Sequence, residues 1–72
     1  MARLPVLSGR DLVGILTGTG FEVVRRKGSH VSLRKGSYRT VVPLHHELSK
    51  GTLLAILKQC GLTRDELVGL LK

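Results

Sequence analysis

With 72 residues, nine glycines and an ordinary apolar content, the chain is sized for one small domain over residues 1–72 that folds rather than staying disordered. Its single cysteine, Cys60, excludes an internal disulfide, Arg3 and Pro5 interrupt any signal-peptide-like run, and no stretch approaches the ~20 apolar residues of a membrane span. A cytoplasmic protein without a membrane partner is therefore expected, and the formal net charge of +7 favours a polyanion as partner.

Met1 to Leu7 reads as an extended lead bent at Pro5. Ser8 has the chemistry of a helix N-cap, and Asp11 three residues on completes a capping-box pair near the positive helix start. Leu12, Ile15 and Leu16 then supply an apolar stripe at helical spacing. Gly14 weakens that helix by about 1 kcal/mol relative to alanine, which points to close packing against a neighbour or to simple tolerance, and Gly18-Thr19-Gly20 ends it.

From Phe21 the period changes. Phe21 to Arg26 is rich in strand formers, and Gly28-Ser29 provides a turn into a second extended segment that opens at His30. There Val31-Ser32-Leu33-Arg34 alternates apolar and polar, so Val31 and Leu33 facing the core would leave His30, Ser32 and Arg34 together on the other side. A one-residue slip would reverse this arrangement. Lys35-Gly36-Ser37 makes the next turn, and Tyr38 to Val42 forms a third strand stopped by Pro43, which has no N–H to continue a ladder.

Leu44 to Leu48 is a polar connection. Ser49 caps a helix carrying Leu53, Ile56, Leu57 and Cys60 at i, i+3, i+4 and i+7, with Gly61 as its stop. Cys60 thus reads as a small core residue. Thr63 with Glu66 opens a last short helix with Leu67, Leu70 and Leu71 on its stripe. The fold class expected is α+β: helix, three-stranded antiparallel meander, helix, short C-terminal helix, with helices on one sheet face and the other face open.

Arg25, Arg26, Lys27, Arg34, Lys35 and Arg39 lie in a segment with no acidic residue between Glu22 and Glu47. With Phe21 and Tyr38 the only aromatic residues, such a surface would grip a nucleic-acid backbone more than its bases. An imidazole on a rigid strand beside cations has the parts to hold a phosphodiester and move a proton. RNA can be cut through its own 2′-hydroxyl when a base takes that proton and cations stabilise the charge gathering on phosphorus. Histidine suits the task because its ordinary pKa of about 6.5 leaves it partly neutral at working pH.

His30 is accordingly the candidate general acid or base, with Arg26, Lys27 and Arg34 as phosphate ligands and Arg25, Lys35 and Arg39 extending the RNA-binding surface. His45 and His46 are candidates for a second acid/base if their loop returns to the sheet; otherwise they belong to a polar connector. The three histidines and Glu47 lack tight metal-ligand spacing, so neither a metal nor another cofactor is expected. Ser29 reads as orienting His30 rather than as a nucleophile.

Across nearly its whole length the chain resembles the HicA family of toxins, small mRNA interferases of toxin-antitoxin pairs. The likeness is carried by Leu12 to Leu16 with Gly20-Phe21-Glu22, by Lys27-Gly28-Ser29-His30, by Val42-Pro43-Leu44-His45, and by Gly51-Thr52-Leu53 with Ile56-Leu57-Lys58-Gln59 and Gly61-Leu62. The resemblance implies a double-stranded RNA-binding-domain-like fold, metal-independent cleavage of mRNA, and neutralisation by a HicB-type antitoxin. It implies a catalytic role for His30 and a supporting one for Gly28 and Ser29. The competing expectation is a non-catalytic RNA-binding module that clamps double-stranded RNA by shape. A protein-interaction module is a third, predicting neither binding nor cleavage of RNA.

Overall fold

The computed structural model describes residues 3–71, so Met1 and Ala2 of the expected lead, and Lys72, lie outside the described residues. The elements follow in the expected order: α1 (Gly9–Gly18), β1 (Glu22–Lys27), β2 (His30–Lys35), β3 (Tyr38–Pro43), α2 (Lys50–Cys60) and α3 (Arg64–Leu70).

Each helix begins where a side chain satisfies otherwise unpaired backbone N–H groups. The Ser8 hydroxyl accepts from Asp11 N at 3.0 Å while the Asp11 carboxylate accepts from Ser8 N at 3.4 Å. Thr63 and Glu66 repeat the exchange at 3.1 and 2.9 Å, and Ser49 caps α2 through Thr52 N at 3.2 Å. Gly61 ends α2 in the left-handed region at φ +70°, with the Tyr38 ring so near that a Cβ there would lie 2.8 Å from it.

The sheet order is β1-β2-β3, antiparallel throughout. Both hairpins turn on Gly-Ser pairs whose first residue has positive φ, +58° at Gly28 and +59° at Gly36. Positive φ at the first central position is the type II′ requirement, and that turn matches the natural twist of the paired strands. β1 begins one residue later than its propensity suggests because Phe21 is withdrawn into the core, its N–H bonded to the Leu16 carbonyl at 3.1 Å. Pro43 stays in β3 as its last residue, opposite His30, and Leu44 N then donates to Ser29 O at 2.7 Å.

The core forms between the helices and one sheet face. Leu12 and Leu16 from α1, Val31, Leu33 and Val42 from the sheet, Leu53, Ile56, Leu57 and Cys60 from α2, and Leu67 from α3 form one buried cluster. Fully burying a side chain of this kind contributes about 1.5–3 kcal/mol, which is what holds the strand register. Leu70 and Leu71 stay nearly half exposed because α3 runs past the edge of the core after Leu67. Gly14 is a tolerated residue: a Cβ there would meet nothing within 4 Å. Close approach occurs instead at Gly9, where a Cβ would overlap the Pro43 carbonyl oxygen and lie 2.8 Å from Leu44 Cα. No helix among the described residues is long and apolar enough to cross a membrane.

Candidate active site on the open sheet face

Which residues share the open face follows from the ladder, because directly paired residues project to the same side. Val31 and Leu33 are buried, so His30, Ser32 and Arg34 point away from the helices. Their partners make three cross-strand rows: Lys27, His30 and Pro43; Arg25, Ser32 and Val41; Glu22, Arg34 and Arg39. Cβ atoms within a row lie roughly 5 Å apart, and successive rows on one strand about 7 Å apart. Lys27 and His30 are thus immediate neighbours, with Arg25 one row further on β1.

The Gly28-Ser29 turn sets this grouping: with Lys27 paired to His30, strand alternation puts Arg25, opposite Ser32, on the same side and Arg26, opposite Val31, on the other. A bulge between Val23 and Arg25 then shifts the register, so that Glu22 rather than Val23 stands opposite Arg34. Arg26 therefore does not share a surface with His30. Lys35 is also drawn away, its ammonium donating to Thr19 O at 2.6 Å and lying 5.8 Å from the Phe21 ring centre. A cation at the carbonyl end of α1 is favoured by the helix dipole.

Two shallow hollows involve residues of the open face. One is lined by Arg25, Lys27, Gly28, Ser29, His30 and Ser32. The other shares Ser32 and is lined by Val24, Arg34, Arg39 and Val41, and also by Leu33, Thr40 and Gln59, which belong to the helix side of the sheet. His45 and His46 line a third hollow with Ser8, Arg10 and Leu44, at the start of α1. The His45 carbonyl accepts from Gly9 N at 2.9 Å, which fixes this connection to the helix start. Among the described residues no three of His, Cys, Asp or Glu gather as metal ligands would. Cys60 is buried in the core, and burial pushes its thiol pKa up while a hydrogen bond with Thr40 opposes the shift.

Val24 and Val41 were not singled out as site residues from sequence, because valines in a strand read as core. The usable signal was Val42: once Val42 faces the helices, Val41 must face the opposite way.

The fold and surface define a small α+β domain that covers one side of a three-stranded sheet and leaves a cationic, histidine-bearing side open. A family model described as "HicA toxin of bacterial toxin-antitoxin" matches residues 9–62, which is 54 of the 72 residues. The chain belongs to this HicA toxin family. No curated protein and no solved structure matches it at a significant level.

Proposed function

We propose that the protein is a toxin that acts as an endoribonuclease on mRNA, with His30 as the general acid/base and Arg25, Lys27, Arg34 and Arg39 holding the RNA backbone. The observation that carries this reading is the Lys27-His30 pair, an ammonium and an imidazole side by side on the uncovered face of the central hairpin. Membership of a toxin family supports the biological role.

In this mechanism the neutral imidazole of His30 takes the proton of a ribose 2′-hydroxyl. The 2′-oxygen forms its bond to phosphorus while Lys27 and Arg25 stabilise the charge on the phosphoryl oxygens. The bond from phosphorus to the 5′-oxygen then breaks, that oxygen takes a proton from water, and the proton held on His30 neutralises the hydroxide left behind, which returns the imidazole to its neutral form. A 2′,3′-cyclic phosphate and a 5′-hydroxyl result. Nothing in these steps calls for a metal ion. Gly28 and Ser29 serve by fixing the turn that sets Lys27 beside His30. His45 and His46 line a separate hollow, and this reading assigns them no step.

The partner that fits such a surface is a HicB-type antitoxin presenting acidic side chains. Covering His30 and its neighbouring cations would block RNA by occupancy and by charge neutralisation together. The deciding experiment is end-group analysis of RNA treated with the protein in the presence of a chelator. Cyclic phosphate ends that disappear with His30→Ala, while RNA binding persists, are expected. Binding without cleavage would instead establish a non-catalytic RNA-binding module, and 5′-phosphate ends would overturn the 2′-hydroxyl mechanism.

A further inference from the structure

The geometry points to a base-reading subsite: we infer that the hollow between Val24, Val41, Arg34 and Arg39 receives the nucleobase next to the scissile phosphodiester, with the Ser32 hydroxyl contacting it. This inference rests on the ribonuclease reading and adds to it the group that would select where RNA is cut.

Continuity comes first. Ser32 lines both this hollow and the one around His30. It lies one row from His30 on the same strand, about 7 Å away, so a chain whose phosphate sits at His30 has its adjoining nucleotide within reach of the second hollow. The volume of about 460 Å³ lies in the range of sites that take small ligands.

The lining also has a composition suited to a base rather than to phosphate alone. Val24 is 51% and Val41 48% exposed, so two apolar side chains stand uncovered on a face otherwise dominated by cations. Apolar walls match the flat face of a base, while Arg34 and Arg39 can stack on it or hold the flanking phosphates. No aromatic is available for stacking here, because Phe21 is in the core and Tyr38 packs against Gly61 on the helix side.

Ser32 supplies the polar element. It is half-buried, and among the described residues no side chain bonds its hydroxyl, which is therefore free to donate and to accept. Gln59 of α2 is also among the lining residues, its Oε1 accepting from the buried Thr40 hydroxyl at 2.7 Å.

The test maps cut sites on a random-sequence RNA pool for the unaltered protein, Ser32→Ala, Val41→Thr and Val41→Ile, with unfolding midpoints measured alongside. Ser32→Ala is expected to lower base discrimination at a single position beside the cut by about 3- to 10-fold, the effect of losing one neutral hydrogen bond. Val41→Thr should blunt the same position, and Val41→Ile, which keeps the wall apolar, should retain the preference. An unchanged profile in a protein that still depends on His30 for cleavage would overturn the subsite alone. Failure of the unaltered protein to cut any RNA would overturn the ribonuclease reading and the subsite with it. Loss of neutralisation by the antitoxin with an intact cleavage profile would reassign the hollow to a protein partner and so reject the proposal.

Discussion

Lys27 and His30 are direct partners in the β1-β2 ladder, closing the Gly28-Ser29 turn between them, and both side chains leave the sheet on the side away from the helices. Arg26, between Lys27 and the bulge, pairs with Val31 and projects the other way. This alternation separates residues that look equivalent as a run of three cations. Lys27→Ala should therefore reduce the magnitude of the log-log salt slope for single-stranded RNA binding by about 0.7, one phosphate contact's worth, whereas Arg26→Ala should leave it near that of the unaltered protein. Equal slopes for the two variants would refute the face assignment.

Lys35 is expected to behave as a structural residue. Its ammonium donates to the Thr19 carbonyl just beyond α1. Lys35→Met keeps the apolar stem over Phe21 and removes the charge, and should destabilise the fold by about 0.3–1 kcal/mol, as loss of a cation at a helix C-terminus does. The same variant should bind RNA with little change at low salt. A binding loss as large as that of Lys27→Ala would put Lys35 back on the RNA surface.

Two glycine substitutions should move stability in opposite directions. Gly28 has φ +58°, a region that disfavours side chains, so Gly28→Ala should lower stability by about 1–2 kcal/mol and disturb the hairpin carrying His30. Gly14 sits in the exposed middle of α1 with open space around it, so Gly14→Ala should raise stability by about 0.5–1 kcal/mol. Urea unfolding curves for both variants decide the matter, and a shift in the same direction for both would contradict the backbone assignment.

Burial raises the Cys60 pKa above its ordinary value of 9.0. The folded protein therefore holds the thiol proton to higher pH than the unfolded chain does. Stability from this site is fully present below the unfolded value and is lost as pH climbs through the folded one. Urea midpoints for the unaltered protein should fall more steeply above about pH 9 than those of Cys60→Ala, which has no thiol to ionise. Parallel curves for the two proteins across that range would remove burial as the controlling term.

The helix starts were legible because capping is a local exchange: Ser8 with Asp11 and Thr63 with Glu66 are three residues apart, and the same short span governs their geometry in any fold. The side of the sheet that carries His30 was legible for a related reason. Val31 and Leu33 alternate with polar residues, and a slip would expose both apolar side chains at once. Resemblance in the Lys27 to His30 turn and the Gly51 to Leu53 helix start likewise anticipated the family.

Other features depended on partners distant in the chain. The bulge at Val24 arises from how β1 fits β2, and it sets Val23 opposite Leu33 and Glu22 opposite Arg34. Lys35 meets Thr19 across 16 positions, and Gly9 is required by the Pro43 backbone passing over it. The sequence by itself determined the order and ends of the elements and the face bearing His30, because these follow from side-chain period and from contacts a few residues apart. Only the tertiary structure decided that Lys35 leaves the cationic surface for Thr19, that His45 and His46 line a separate hollow, and that Ser32 joins two hollows, because each depends on how separately formed elements meet around the core.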